Sequence, residues 1–342
     1  MKSIAFALLL AASTARASDY VAEKIQVEGL EVVRLYDRRR DVEARVAPSF
    51  GNNAYQMTVR GRNVLWSPYA TLGEWKEKPA QIGNPLLAPW ANRIDGDSYF
   101  ANGRRYVINP HLANFRRDPG GKPIHGLLVY APWEVKSLRA DEGGAVLVSR
   151  LEFWRRPDWM AQFPFAHVLE VTHRLREGAL EVETAIENLS TEPMPVSLGY
   201  HTYYQVSDAP RDEWKLRLPA RTRLRVNEQK IPSGETEPNA LADPLPLLGV
   251  QLDDGFIDLV RGADGWAVFS LEGREERVVV EFGPGYPVAV VFAPPGRAFV
   301  CFEPMSSVTN AFNLGHEGRF PLPTIPPGGT WTASFRIRTE GF

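Results

Sequence analysis

Apolar and polar residues alternate along several short stretches of the chain. In residues 180–187 the apolar and threonine side chains are predicted to share one face and the glutamates the other, as in a half-buried β-strand. Residues 166–175 read as the antiparallel partner, because only three residues, 176–178, turn the chain between them. Later strands are predicted at 266–271, 277–282, 288–292, 298–302 and 330–339.

Helical periodicity is nearly absent. The only helix that the pattern predicts is a short one within residues 67–78, and the proline-rich pieces 232–246 and 321–327 are expected to be ordered loops. Many strands without crossover helices imply antiparallel sheets that pack face to face. The sequence therefore predicts an all-β protein built as one large antiparallel β-sandwich with very little helix.

The first residues have the three parts of a secretory signal peptide. Lys2 supplies the positive start, residues 4–12 form an apolar run, and Ala15-Arg16-Ala17 fits a cleavage site. The apolar run is too short to span a bilayer, which takes about 20 apolar residues. We therefore expect residues 1–17 to be a signal peptide and residues 18–342 a single domain, exported to the periplasm or secreted and free of the membrane after cleavage.

Composition narrows the classes of partner. The chain has 342 residues, 44% of them hydrophobic, and a net charge of −2 with no basic block, which argues against nucleic acid and anionic membranes. The single cysteine, Cys301, excludes an intrachain disulfide. A neutral small molecule fits this balance best, and we expect a monomer or weak dimer.

Two loops in the first half carry residues that suit sugar binding. The first joins Trp90, Asn92 and Arg93, an aromatic face with amide and guanidinium donors for hydroxyl groups. The second contains His125, with a glycine after it that lets backbone approach a ligand, and Trp133 follows. Taken alone, each loop is more typical of a structural role than of a functional one.

Two further places lie in the second half. His201 stands among aromatic residues, including Tyr203, at the end of a predicted strand. Glu303 continues the apolar strand 298–302, a position that carboxylates seldom occupy unless they are paired or functional. A partly buried glutamate has a raised pKa, which suits a general base near neutral pH, although a buried salt bridge is the alternative.

Motifs for other chemistries are missing from the sequence. It contains no HExxH or paired-cysteine metal motif, no phosphate-binding glycine loop and no GxSxG nucleophile elbow. The remaining histidines are expected to be structural or solvent-facing: His111, His167, His173 and His316. We therefore predict neither a metal nor a cofactor.

Taken together and in this order, the four places resemble the aldose 1-epimerase (galactose mutarotase-like) family. Residues 301–313 are similar to the family's catalytic glutamate segment, E-P-x-S/T followed by N-A-x-N, and residues 199–204 and 125–126 to its two histidine motifs. Residues 84–93 and 103–106 resemble its Arg-Ile loop and the NGxxY strand after it. Asp253, three residues before Phe256, matches its aspartate segment, and the likeness extends over about residues 30–340.

The resemblance implies a β-supersandwich with an open concave site that interconverts the α and β anomers of a free hexose without a cofactor. Glu303 would be the base and His201 the acid, with His125 sharing in charge stabilisation. Five residues would bind the sugar: Arg93, Asn92, Asp253, Trp133 and Tyr203.

Three other functions stay open at this point. Residues 201–203 also resemble the hexose-6-phosphate epimerase branch, and a basic cluster (Arg104, Arg105, Arg116, Arg117 and Lys122) is available for a phosphate. A carbohydrate-binding protein without activity would keep the aromatic and arginine residues but would not need Glu303. The third is a glycan-processing enzyme, a lyase or a hydrolase, and a hydrolase would use Asp253 and Glu303 as its carboxylate pair. Leu127 and Tyr200 depart from the family pattern and leave the preferred sugar undetermined.

Overall fold

The computed structural model describes residues 18–342. The chain begins with a five-stranded antiparallel sheet whose strands pair in chain order: Tyr20–Val27, Leu30–Asp37, Val42–Ala47, Asn53–Val59 and Arg62–Asn63. The predicted signal peptide, residues 1–17, lies outside the described residues and stays a prediction. Among residues 18–342, no helix has the length and apolar character needed to cross a membrane.

The largest sheet has nine antiparallel strands. In spatial order they are Glu134–Asp141, Gly144–Glu152, His167–Arg176, Ala179–Asn188, Thr330–Glu340, Arg277–Phe282, Ala267–Glu272, Lys215–Arg217 and Leu245–Pro246. The predicted hairpin is confirmed, with residues 177 and 178 as its turn. Leu180, Val182, Thr184 and Ile186 are buried as expected, but Ala185 shares the outer face with the glutamates.

A second large sheet carries the candidate site. Its seven strands in spatial order are Pro232–Pro238, Ala220–Val226, Leu252–Leu259, Val288–Ala293, Val300–Met305, Gly199–Tyr200 and Leu86–Leu87, and Thr202–Tyr204 also pairs with Val300–Met305. Three two-stranded ribbons complete the strands: Ser98–Ala101 with Arg104–Val107, Arg116–Arg117 with Pro123–Ile124, and Met194–Pro195 with Thr324–Ile325.

The two large sheets pack face to face. Phe302 of the second sheet lies 5.6 Å from Phe269 of the nine-stranded sheet, measured between ring centroids, and Tyr200 lies 4.9 Å from Phe335. The hydroxyl of Tyr200 is also hydrogen-bonded to that of Thr184. Because side chains alternate along a strand, Cys301, Glu303 and Met305 point away from this core. The all-β sandwich predicted from the pattern is confirmed.

Two predictions about local structure were incomplete or wrong. The expected helix is present as Leu72–Glu77, but two further short helices, Pro157–Met160 and Ala311–His316, were missed. Single turns of 3-10 helix occur at Pro110–Leu112, Phe153–Arg155 and Arg211–Glu213.

The proline-rich pieces predicted to be loops contain strands. Pro232–Pro238 and Leu245–Pro246 lie at the edges of the two large sheets, and Thr324–Ile325 belongs to a two-stranded ribbon. Proline is tolerated at these places, because an edge strand leaves one row of backbone N–H groups unpaired in any case.

Candidate active site

Glu303 lies in the middle of the strand Val300–Met305, on the face turned away from the core. The residue is 1% exposed. Its Oε1 lies 3.4 Å from Nε2 of His201, whereas Oε2 has no hydrogen-bond partner among the described residues. A buried carboxylate with one free oxygen beside an imidazole is an arrangement suited to proton transfer.

His201 is held in place by a backbone hydrogen bond, by a ring contact and by close strand packing. Its N–H donates to the carbonyl of Pro85, and its ring stacks on that of Tyr203 with centroids 4.7 Å apart. Gly199, two residues earlier, packs so tightly on the neighbouring strand that a Cβ there would lie 2.1 Å from the sulfur of Met305. The glycine therefore permits the close strand pairing that holds His201 beside Glu303.

His125 contacts the ring of His201. The two imidazole rings are nearly perpendicular, with centroids 5.4 Å apart. His125 has a left-handed backbone with φ of 62°, and its N–H donates to the carbonyl of Asn92. Nδ1 of each histidine lacks a hydrogen-bond partner within residues 18–342. The backbone strain at His125 is thus accepted at a position where its ring faces the site.

Gly126 is required for this packing, and we expect Gly126→Ala to destabilise the fold strongly. With φ of 64°, a Cβ at this residue would lie 2.1 Å from the carbonyl oxygen of Ala88. Gly29→Ala is the matched control, because Gly29 has φ of 78° with no atom within 4 Å of the added Cβ.

The two variants separate conformational cost from steric cost. Gly29→Ala carries only the left-handed backbone cost of about 1–2 kcal/mol. Gly126→Ala adds an overpacking cost of about 1–3 kcal/mol. Urea unfolding measures both, and equal losses in the two variants would contradict the close approach.

Arg93 and Asn92 form a connected pair next to His125. Oδ1 of Asn92 accepts from the backbone N–H of Arg93 at 2.9 Å and from Nη1 of its guanidinium at 3.1 Å. Nε of Arg93 donates to Oδ2 of Asp118 at 2.6 Å, a contact that no sequence motif predicted. Asn92 therefore supports Arg93 with its carbonyl oxygen and keeps its amide nitrogen for other partners.

Asp253 belongs to the same face of the sheet as Glu303. Cross-strand pairing sets Asp253 beside Phe292, Phe292 beside Cys301, and Cys301 beside Tyr203. Paired residues point to the same side of a sheet, so these four side chains form one row next to Glu303. Asp253 is partly exposed, in contrast to the neighbouring Asp254, which is buried in an ion pair with Arg223.

An aromatic wall adjoins this row, which we define as Trp66, Tyr203, Phe292 and Phe299. Its rings contact one another at centroid distances of 4.6–5.9 Å, and Phe292 also meets His201 edge to face at 5.9 Å. Of the two aromatic residues predicted to bind sugar, Tyr203 lies in this wall. Trp133 packs instead in the main hydrophobic cluster with 6% of its surface exposed, so its predicted role stays a prediction.

Burial favours the neutral form of each central group, so it raises the pKa of the glutamate and lowers the pKa values of the histidines. Burial, strengthened by the nearby Asp253 and opposed by Arg93, raises the pKa of Glu303 well above its ordinary value. Burial lowers the pKa of His201 to about 3. The pKa of His125 is also lowered, chiefly by burial and then by the charges of His201 and Arg116. Both histidines therefore favour the neutral form.

The other histidines lie apart from this arrangement. His167 and His173 are buried in the nine-stranded sheet, and burial lowers the pKa of each to about 4. His111 and His316 are exposed. Within residues 18–342, no three histidine, cysteine, aspartate or glutamate side chains are grouped so that they could hold a metal ion.

Curated relatives of the chain are found in Escherichia coli K12. The chain is 29% identical to the uncharacterised protein YihR over 161 residues, which are 46% of this chain and 47% of YihR, so the match spans about half of that relative. It is 24% identical to the uncharacterised protein YphB over 265 residues, covering 74% of this chain and 82% of YphB.

Solved structures share the fold over almost the whole chain. A galactose mutarotase-like protein from Clostridium acetobutylicum superposes with a TM-score of 0.83 at 19% identity, covering 95% of this chain and 99% of that one. Galactose 1-epimerase from Lactobacillus acidophilus gives a TM-score of 0.73 at 15% identity, covering 95% and 100%. The predicted galactose mutarotase-like fold is thereby confirmed.

The sequence profile of one family extends across most of the chain. Residues 46–338 match the profile described as aldose 1-epimerase, a range that includes Arg93, His125, His201, Asp253 and Glu303. The chain belongs to the aldose 1-epimerase family.

Proposed function

We propose that the protein is a mutarotase that interconverts the α and β anomers of free aldoses. The observation that carries the proposal is the 3.4 Å contact between Glu303 and His201, in which Oε2 of the carboxylate is left free inside a buried site. A carbohydrate-binding protein without activity has no need of a buried carboxylate whose pKa is raised, since an uncompensated buried acid destabilises the fold.

Ring opening needs a base and an acid at the same time. In the proposed step Glu303 takes the proton of the C1 hydroxyl, the electron pair of that O1–H bond forms the second C1–O1 bond, and the bond between C1 and the ring oxygen breaks with its electrons passing to the ring oxygen. The ring oxygen takes its proton from His201. Rotation about C1–C2 exposes the other face of the aldehyde, and the same two protons return as the ring closes.

Glu303 and His201 share a single proton, and that proton is enough for this acid–base chemistry. Burial disfavours the charged form of each group, so the pair holds one proton and has no net charge. The reactive arrangement, ionised Glu303 with protonated His201, has the same number of protons. Reaching it requires only a shift of one proton within the contact, and the charge of Arg93 favours the ionised carboxylate.

The neighbouring residues are assigned to binding. Arg93 donates to sugar hydroxyls as a fixed fork, and Asp253 accepts from them. His125 hydrogen-bonds the ring oxygen or an adjacent hydroxyl through its free nitrogen. The aromatic wall offers an apolar surface to the C–H face of the sugar. These contacts hold C1 within reach of both Glu303 and His201.

The pH dependence of kcat/KM follows from the two shifted pKa values. As the pH falls, the pair gains a second proton only below the lowered pKa of His201. As the pH rises, the pair loses its one proton only above the raised pKa of Glu303. We therefore expect kcat/KM to be retained at about pH 5 and to fall at alkaline pH. A loss of about tenfold already between about pH 6 and pH 7.5, which an acid with the ordinary histidine pKa of about 6.5 would give, contradicts this account.

A second candidate, epimerisation of an aldose with an anionic substituent such as a 6-phosphate, is favoured by Arg116. Arg93 pairs with Ile124 across one backbone bridge and Ile124 with Arg116 across the next, so both arginines lie on one face of this ribbon. Asp118 neutralises Arg93, whereas Arg116 is exposed and has no carboxylate partner among the described residues. Its charge reaches both His125 and His201.

Polarimetry on freshly dissolved single anomers tests both candidates. The panel contains α-glucose, α-galactose, glucose 6-phosphate and glucuronic acid. Faster equilibration of the neutral sugars supports the first candidate, and a preference for the charged sugars supports the second. If no sugar equilibrates faster than in buffer, the proposal fails, and glycan binding or release of reducing ends from polysaccharide identifies the binding or hydrolase alternative.

A further inference from the structure

We propose that Asp118 is a positioning residue that sets the direction and the effective charge of Arg93 in the active site. The inference rests on the proposed function, because it assigns to Asp118 a part in the same reaction. Asp118 itself does not touch the sugar in this account. It acts through the guanidinium that does.

The contact between the two side chains is short and protected. Nε of Arg93 lies 2.6 Å from Oδ2 of Asp118, and the side chains are only 16% and 7% exposed. Burial works to raise the pKa of Asp118, but the hydrogen bonds from Arg93 and from the backbone of Lys122 hold it below its usual value. The carboxylate is therefore ionised and the bond charge-assisted, which makes it one of the stronger kinds of hydrogen bond.

Asp118 is itself held rigidly. It ends the strand Arg116–Arg117 at the turn of a hairpin, where its Oδ1 accepts from the N–H of Lys122 at 2.8 Å. Its backbone N–H donates to the carbonyl of Lys122, and its carbonyl accepts from the N–H of Gly121. Both carboxylate oxygens are thus in use, and the side chain has no freedom to follow a moving arginine.

The consequence is a guanidinium with fixed donors. Asp118 and Asn92 take two of its five N–H groups, on Nε and Nη1. The other three have no protein partner within residues 18–342 and are available to hydroxyl groups. Without Asp118 the arginine regains rotation about its side-chain bonds, so the donors lose the fixed geometry that orientation of a substrate requires.

Asp118 also limits the positive charge that Glu303 experiences. The charge of Arg93 acts on Glu303 to lower its pKa, against burial and Asp253, which raise it. Removing the carboxylate of Asp118 leaves Arg93 uncompensated, so the pKa of Glu303 falls. The charged or titratable groups around Glu303 that share in its titration are His201, His125, Asp253, Tyr203, Cys301, Arg93 and Arg116.

Three variants test the inference by kinetics. Asp118→Ala is expected to lower kcat/KM by about 10²-fold, the cost of a misplaced binding group. Asp118→Asn retains an acceptor and is expected to lose less, while its alkaline limb moves to lower pH. Asp97→Asn is the matched control, because Asp97 pairs with Arg117 of the same hairpin at 2.8 Å but does not contact Arg93. It is expected to stay within about twofold of wild type with an unmoved pH profile, since exposed pairs contribute little.

A double variant shows whether Asp118 acts through Arg93. Adding Asp118→Ala to Arg93→Met is expected to cause no further loss, because the group it orients is already gone. Losses that multiply would overturn the inference, and so would an Asp118→Ala enzyme as active as wild type or an Asp97→Asn enzyme as impaired as Asp118→Ala.

An NMR measurement decides the inference without reference to activity. The buried Nε–H of Arg93 is expected to give a ¹H–¹⁵N signal that exchanges slowly with solvent and is absent in Arg93→Lys. Loss of this signal in Asp118→Ala, with retention in Asp97→Asn, supports the positioning role. An unchanged signal in Asp118→Ala overturns it. If the wild type accelerates no sugar, the proposed function fails, but this signal still tests the contact.

Discussion

Glu303→Gln is expected to abolish the acceleration of anomer exchange while sugar binding survives. The amide keeps the size of the side chain and an oxygen that accepts hydrogen bonds, but it cannot take a proton from the C1 hydroxyl. Loss of a general base lowers kcat by about 10²–10⁴-fold. Stopped-flow polarimetry gives the rate, and calorimetric titration with the same sugar gives the affinity.

The control for this variant is Glu276→Gln, which removes a carboxylate that is equally buried, at 1% exposure. Glu276 accepts hydrogen bonds from Ser207, forms an ion pair with Arg62, and directly precedes the strand Arg277–Phe282 of the nine-stranded sheet. We expect Glu276→Gln to lower the free energy of unfolding but to leave kcat of the folded enzyme unchanged. Residual activity of Glu303→Gln above one tenth of wild type would contradict the role of Glu303 as base.

The pH dependence of stability tests the raised pKa of Glu303 independently of activity. Because its pKa is raised in the folded protein, folding takes up a proton at pH values between the unfolded and folded pKa values. The free energy of unfolding of the wild type therefore falls as the pH rises through this window. Glutamine does not ionise, so Glu303→Gln is expected to gain in relative stability from about pH 5 to pH 9.

His201→Asn is expected to lower kcat by about 10²-fold or more, the usual contribution of a general acid. The ring oxygen then has no proton donor as the C1 bond breaks, and Glu303 loses its only side-chain partner among the described residues. His173→Asn is a matched control, because His173 is as deeply buried but lies in the nine-stranded sheet.

The two histidine variants are distinguished by kcat measured in folded protein. His173→Asn should change the melting temperature and leave kcat alone, whereas His201→Asn should change kcat at every pH. Equal kcat in His201→Asn and wild type would transfer the acid role to another group, of which His125 is the neighbour 5.4 Å away.

The sequence was most informative where the structure is local. Alternation along residues 180–187 is a direct consequence of one buried sheet face, and residues 277–282 form a short run rich in valine, so both strands could be predicted almost to the residue. The helix Ala311–His316 was missed because six residues are too few for a 3.6-residue period, and Asn310 before it makes no capping hydrogen bond of the kind that Thr71 makes before Leu72–Glu77. The strand Pro232–Pro238 was missed because prolines indicate a loop unless the strand is known to be an edge.

The residues of the site could be selected from the sequence, but their arrangement could not. Leu252–Leu259, Val288–Ala293 and Val300–Met305 pair in chain order, yet Gly199–Tyr200 and Leu86–Leu87 follow them from distant parts of the chain. This long-range pairing brings His201 to Glu303 and is not encoded in any local pattern. The aromatic wall depends on the same pairing, since Trp66 and Phe299 meet only when the strands have assembled.

Asp118 is the residue of the site that the sequence was least able to predict. In the sequence Asp118-Pro119-Gly120-Gly121 is typical of an exposed turn, and an aspartate there is expected to be solvated. Only the bridge between Arg93 and Ile124 and the hairpin Arg116–Ile124 bring its carboxylate under the guanidinium. Asp118 can be assigned as the partner of Arg93 only from their contact in the structure, because its residue type and its sequence neighbours are those of an ordinary turn.

The most direct test of the central claim is the exchange of magnetisation between the α and β anomeric protons of a sugar at equilibrium, measured by NMR with wild-type protein and with Glu303→Gln. The measurement follows interconversion itself and requires no coupled enzyme. We predict cross-peaks between the anomers with the wild-type protein and none above the protein-free sample with Glu303→Gln, while both proteins still broaden the sugar signals by binding. Cross-peaks of equal strength with both proteins, or none with the wild type for any sugar that it binds, would contradict an acid–base centre formed by Glu303 and His201.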